Sequence, residues 1–194
     1  MVTERRRPGR RPGSADTRGQ IIAAARRTFA EKGFDKATIR GIAREAGVDP
    51  ALVHHYFATK EGVFAAAMRL PMEPAMVVPR IVNGPPDELG ERLVRVLLTM
   101  TSDVEGRESI VGMMRAAMTN DQALVMIREF ITDAILGRVV EALGVSPLRM
   151  EAVFAQMSGL ILARHIIRLE PLASADIEEL VELVGPIVQR YLVG

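Results

Sequence analysis

Arginine offers the most obvious chemistry in this chain. Arg5, Arg6, Arg7, Arg10 and Arg11 crowd one short stretch near its start. Guanidinium groups at that density bind polyanions, and the charge of the whole chain is sorted to match. Residues 1–70 hold 14 Lys and Arg against 7 Asp and Glu, whereas residues 71–194 hold 11 against 17. The overall net charge of +1 therefore hides a basic third joined to an acidic remainder. Only the first part is expected to meet a polyanion.

Catalytic chemistry is poorly provided for. Cys is absent, which removes a thiolate nucleophile, a disulfide framework and Cys-based zinc sites. No Gly-rich phosphate loop, nucleophile elbow or metal motif occurs. His54 and His55 are adjacent, so on a helix they point about 100° apart and cannot share a metal from one face. His165 stands alone. No catalytic, metal or cofactor site is expected, and the chain reads as a binding protein rather than an enzyme.

Helices must position these groups, because no segment shows the alternation of a strand. The expected fold is all-α. Apolar residues make up 48% of the chain, enough for a packed core built from aliphatic side chains and Met. A polar, Pro- and Gly-rich arm is expected over residues 1–15. Asp16 then opens a helix with Ile21, Ile22, Ala25 and Phe29 on one face, and Gly33 is placed to end it. Thr38 is a suitable N-cap for a short helix through Glu45, and Gly47 supplies a left-handed turn. Asp49 and Pro50 suit the start of the next helix, and another begins near Thr59 and runs through Met68. Pro71, Pro74, Pro79 and Gly84-Pro85-Pro86 leave the following stretch open. Amphipathic segments then occupy 87–101, 108–118, 121–143, 147–169 and 174–192. No run approaches the roughly 20 apolar residues of a spanning helix. Polar residues Pro12 to Arg18 follow the Arg-rich stretch where a leader would be apolar, so a cytoplasmic location without membrane contact is expected.

The segment from Thr38 to Phe57 is the most informative. Two short helices joined through Ala46-Gly47-Val48 have the arrangement of a helix-turn-helix. Ala43 and Ala46 are small where the helices cross, and Val48 and Val53 fill the wedge between them. Phe57 is expected to close the end against Phe29, Phe34 and Phe64. Residues 16–68 resemble the DNA-binding domain of the TetR (tetracycline-repressor-like) family of regulators. The likeness is carried by Ala30-Glu31-Lys32-Gly33-Phe34, Thr38, Ile42-Ala43, Ala46-Gly47-Val48, and His55-Tyr56-Phe57 followed by Thr59-Lys60-Glu61. Residues 75–194 resemble the family in helical layout and length. The expected organisation is an arm (1–15), a helix-turn-helix domain (16–70) and a ligand-binding and dimerisation domain (71–194).

The resemblance implies that Pro50–Tyr56 is the recognition helix and lies in the DNA major groove. Ala51, Leu52 and His55 are its candidates for base contact. Ala51 and Leu52 have no hydrogen-bonding side chain and would read apolar features such as a thymine methyl. Arg40 is a candidate donor to guanine, or else a solvated surface residue. Lys60 at a helix start, the Tyr56 hydroxyl and Thr38 are candidate phosphate contacts, and for Thr38 capping is a compatible second role. The Arg-rich arm suits the minor groove or the backbone. The chain departs from the family at Asp49-Pro50, where a Ser-Lys-like start is common. Asp still caps there, but a carboxylate near phosphates is repulsive.

In the acidic half, Pro147–Leu169 is apolar on more than one face. Met150, Val153, Phe154, Met157, Leu160 and Ile161 form one stripe; Ala152, Ala155, Gly159, Leu162 and Ile166 form a second. The last helix adds Ile177, Leu180, Val181, Val184, Val188 and Tyr191. Two such helices from each subunit would make the four-helix dimer interface that the resemblance implies; burial within one chain is the other reading. Met100, Met113, Met114, Met118 and Met126 are adaptable side chains suited to an apolar ligand pocket or to ordinary core. Phe130 and Phe154 are candidates to join such a pocket. Arg115, Arg128, Arg164 and His165 interrupt apolar stretches and are candidates for a polar ligand group or for salt bridges.

These readings converge on a one-component transcriptional regulator. It is expected to repress by binding palindromic operator DNA as a homodimer, and to be released by a small apolar effector acting without a cofactor. The helix Thr59–Met68 leaves the DNA-binding part toward the pocket region and is expected to act as the lever. An activator would carry the same residues, since the difference lies in operator position. A non-enzymatic interaction module using the basic arm is the remaining alternative, although that arm lacks apolar residues for membrane insertion.

Overall fold

Gly33 breaks the first helix, α1 (Ser14–Lys36), by adopting φ 77° and ψ 177°, a conformation open essentially to glycine alone. In this computed structural model the described residues run from Ser14 to Val193, so the expected Arg-rich arm lies outside them. The next three helices begin and end as their capping chemistry predicts. The Thr38 hydroxyl oxygen accepts the Gly41 N–H at 3.1 Å to start α2 (Ile39–Ala46), and Gly47 ends it at φ 66°. Asp49 accepts the Ala51 N–H at 2.8 Å to start α3 (Pro50–Phe57). Thr59 accepts the Gly62 N–H at 3.1 Å to start α4 (Lys60–Met68). Each such cap satisfies a donor that the helix leaves unpaired.

The Pro-rich stretch resolves into α5 (Pro74–Val82), with Pro74 in its first turn. α6 (Leu89–Met100) and α7 (Val104–Thr119) follow. The expected segment 121–143 is one rod in three parts: α8 (Asp121–Ile131), a π-helical turn (Thr132–Leu136) and α9 (Gly137–Leu143). α10 (Pro147–Ile161) likewise runs into a π-helical turn (Leu162–Ile167), and α11 (Ile177–Val193) closes the described chain. The described residues contain no strand. None of their helices is long and apolar enough to cross a membrane.

Two apolar cores hold these helices. The larger joins α5, α6, α10 and α11 through Leu93, Leu98, Val153, Met157, Leu180 and Val188. The other holds the helix-turn-helix: Ile21, Phe29, Phe34, Ile42, Val53, Phe57 and Phe64 are all buried there. Removing such a side chain from water contributes roughly 1.5–3 kcal/mol. Phe57 closes this core as the sequence predicts. The ring that completes it comes from far along the chain, since Phe130 of α8 stacks on Phe64 at 4.2 Å and meets Phe34 edge-on at 5.4 Å. Met126 and Ala134 pack into the same cluster. The helix-turn-helix is therefore not closed by its own residues; α8 seals it.

Candidate nucleic-acid interface and ligand cavity

The turn between α2 and α3 is drawn tight by backbone bonds from Val48 N–H to Ala43 carbonyl (3.0 Å) and from Gly47 N–H to Arg44 carbonyl (3.2 Å). Val53 and Phe57 point α3 into the core, which leaves Ala51, Leu52, His54 and His55 exposed on its outer face. Leu52, an apolar side chain on that outer face, is 38% exposed. Tyr56 is half-buried, its ring edge-on to His55 at 5.3 Å. Thr38 and Arg40 are exposed at the start of α2. The structure thus brings Thr38, Arg40, Ala51, Leu52, His55 and Tyr56 to the two helices of one motif.

Lys60 is placed differently. It begins α4 as expected, but its ammonium turns back to donate to the carbonyls of Phe34 (3.0 Å) and Asp35 (3.4 Å). It also lies over the Phe34 ring at 4.2 Å. In the free chain Lys60 therefore holds the end of α1 against α4. Sequence reasoning found the helix start and missed this partner, because the carbonyls freed by the break at Gly33 are not visible in residue types.

Ala58, between α3 and α4, was not singled out from the sequence. It sits at φ 57°, ψ −51°, with the Thr59 N–H donating to the Phe57 carbonyl at 2.6 Å. This is a γ-turn with positive φ, a strained conformation for a residue with a β-carbon. The close approach of α4 to the end of α3 explains it: a β-carbon on Gly62 would collide with the Phe57 carbonyl oxygen.

A cavity of about 650 Å³ lies among α5, α6, α7, α8 and α10. Of the sequence candidates, Met100, Met113, Met114, Met118, Arg128, Phe130 and Phe154 line it. Met126 faces away and lines a separate cleft of about 490 Å³ shared with Arg26, Met68 and Ser109. His165 lines neither. Its Nε2 is buried without a hydrogen-bond partner, and burial together with Arg164 and Arg107 holds its pKa below the usual histidine range. Sequence reasoning missed the aliphatic walls, including Leu97, Leu124, Ile127 and Ile131. They follow ordinary helical periodicity and carry no signal that separates pocket from core. The π-helical turn after α8 also opens onto the cavity through Thr132, Ile135 and Leu136. Such turns, which insert one extra residue into a helix, recur at functional sites. Volume and lining suit a small, mainly apolar molecule, within the usual pocket range of about 300–1,000 Å³.

The expected lever does not reach this cavity. No residue of α4 lines it, whereas α8 supplies Leu124, Ile127, Arg128, Phe130 and Ile131. The chain bends away after Met68, where Arg69 ends α4 in the left-handed region at φ 57°.

Comparison with known proteins agrees with this arrangement. Residues 21–67 match the model of bacterial regulatory proteins, tetR family, and residues 87–192 match that of the tetracyclin repressor-like C-terminal domain. The HTH-type transcriptional regulator BetI of Brucella anthropi is 48% identical over 52 residues, 27% of each chain. The chain spans between about a quarter and two thirds of the length of the curated relatives it matches. The TetR-family regulator SCO0857 from Streptomyces coelicolor A3 is 35% identical, with 96% of this chain and 99% of that one covered and a TM-score of 0.49. The multidrug binding protein EbrR, solved with proflavin, is 24% identical, with 91% and 99% covered and a TM-score of 0.51, a likeness of fold. With its two halves matched in order by the family's amino- and carboxy-terminal models, the chain belongs to the tetR family of bacterial regulatory proteins.

Proposed function

We propose that this chain is a repressor that binds palindromic operator DNA as a homodimer and is released by a small apolar effector. The observation that carries this reading is the pairing of an exposed recognition-type helix with an apolar cavity walled by α8, the helix that seals the helix-turn-helix core. On DNA, α3 lies in the major groove with Ala51, Leu52 and His55 toward base edges and Tyr56, Thr38 and Arg40 toward the backbone or a guanine. Lys60 joins a phosphate contact by exchanging its carbonyl partners, and the Arg-rich arm adds electrostatic attraction. The effector occupies the 650 Å³ cavity, as proflavin occupies a site in EbrR. It favours a conformer with altered spacing of the recognition helices, so DNA affinity falls by linkage.

The dimer forms through α10 and α11. On α11, Leu183, Ile187 and Tyr191 are exposed in the single chain, and on α10 so are Phe154, Ala155 and Gly159. A β-carbon on Gly159 would meet nothing, so a second helix has room to approach closely. Ala155 and Gly159 belong to the second apolar stripe of that segment, whose Ala152, Leu162 and Ile166 are half-buried. The dimer holds its recognition helices about 34–36 Å apart, matching successive major grooves. The protein works on the chromosome and so in the cytoplasm.

Selection from random-sequence duplex DNA at several salt concentrations tests the reading. A palindromic site, lost on Tyr56→Ala with Lys60→Ala, is expected. Binding that is steeply salt-dependent and enriches no sequence would sink the operator assignment.

A further inference from the structure

α8 has two working faces. Leu124, Ile127, Arg128 and Ile131, spaced to lie along one side, line the large cavity. The other side holds the DNA-binding part by polar contacts, while Phe130 packs into the helix-turn-helix core and also borders the cavity. The Glu129 carboxylate accepts the backbone N–H groups of Phe34 at 2.8 Å and Asp35 at 3.1 Å, and the Gln122 amide donates to the Ala30 carbonyl. These are the groups left unpaired where Gly33 interrupts α1. The approach is close: a β-carbon on Gly33 would lie 2.9 Å from the Glu129 carboxylate. The same short turn is gripped from α4 by Lys60.

We infer that Glu129 is the positioning residue through which occupancy of the cavity reaches the helix-turn-helix. This rests on the effector-controlled DNA binding proposed above and replaces α4 with α8 as the transmitting helix. A packed helix moves as a body rather than deforming, so a ligand that displaces the Leu124–Ile131 face carries Glu129 with it. Glu129 is bonded to backbone and not to a mobile side chain. Its displacement therefore opens these bonds and releases the end of α1 and the start of α2, which reorients the recognition helix relative to its partner in the dimer. A carboxylate shared by two amides is also a strong, directional contact.

A double-mutant cycle on the full chain tests this without an identified effector. Ala117→Phe, on the α7 wall, fills part of the cavity in place of a ligand; Val96→Phe, on α6, is the second filler if the first does not fold. Affinity is measured for a duplex selected on the wild-type protein. In wild type the filler is expected to weaken operator binding about tenfold, within the usual range of allosteric coupling. In a Glu129→Ala background the same filler is expected to change affinity less than about twofold, and Glu129→Gln, which keeps one acceptor oxygen, is expected to restore part of the effect. Equal weakening in both backgrounds overturns the assignment and returns the transmitting role to α4. A filler without effect on operator binding in wild type overturns the cavity switch and the route together. Hydrogen exchange needs no DNA and so separates the two readings. The Phe34 and Asp35 amides are expected to be protected in wild type and to exchange faster in the filled protein; unchanged protection there overturns the Glu129 route even if the protein switches.

Discussion

Gly90 and Gly185 meet where α6 crosses α11, so closely that a β-carbon on Gly90 would collide with the Gly185 carbonyl oxygen and one on Gly185 would lie 2.8 Å from the Glu91 side chain. The Gly90 N–H donates to the side-chain oxygen of Gln189 on α11. Two backbones in contact leave no flexible side chain to yield. Gly90→Ala is therefore expected to force the helices apart and to lower stability by at least about 1–3 kcal/mol, the usual range for overpacking. Thermal unfolding of the variant against wild type checks it, and an unchanged melting temperature would contradict the crossing described.

Lys60 combines two carbonyl acceptors with the face of Phe34. Lys60→Met keeps most of the apolar stem and removes the ammonium. A stability loss of about 1 kcal/mol is expected, since hydrogen bonds from charged groups contribute more than neutral ones and the site is half-exposed. Urea unfolding of the variant without DNA measures this. No loss would mean that the ammonium is free for phosphate in solution.

Asp35, exposed beside Lys60, is held above the ordinary aspartate range by partial desolvation and by a hydrogen bond and like charge from Asp133 in the π-helical turn after α8; Lys60 opposes the shift. A raised pKa makes the folded chain hold its proton more tightly than the unfolded one. The stabilisation is then complete below the unfolded aspartate pKa, about 4, and is lost as pH rises through the folded value. Asp133→Asn removes the repulsion. The variant is expected to melt above wild type at neutral pH, with the difference shrinking as pH falls toward about 4. Melting temperature across that window checks the sign, and a difference independent of pH would rule out the shared proton.

Ile187 is 45% exposed on α11 and faces away from the core of its own chain. Ile187→Glu should leave the fold of one chain intact. It should dissociate the proposed dimer by placing like charges across a two-fold interface. Sedimentation at micromolar concentration is expected to show a monomer with an unchanged helical spectrum. A variant that sediments as wild type would place the interface elsewhere.

Much of this protein was determined by residues acting on their near neighbours. The caps at Thr38, Asp49 and Thr59 and the turn at Gly47 need only three or four adjacent positions, and they specify α2, α3 and α4 with the outer face of the motif. Helical periodicity likewise determined the later segments to within a few residues. The tertiary structure alone decided who meets whom. Phe130 seals a core more than sixty positions away, and Glu129 reaches the break at Gly33. Met126 and His165 turn from the cavity that Met114 and Met118 line. Periodicity tells which side of a helix is apolar, but not whether that side meets a neighbour or an empty space. That depends on how helices cross, and crossings are set by contacts that no local pattern encodes. The same reason moves the proposed transmitting role from α4, which leaves the DNA-binding part, to α8, which returns to it.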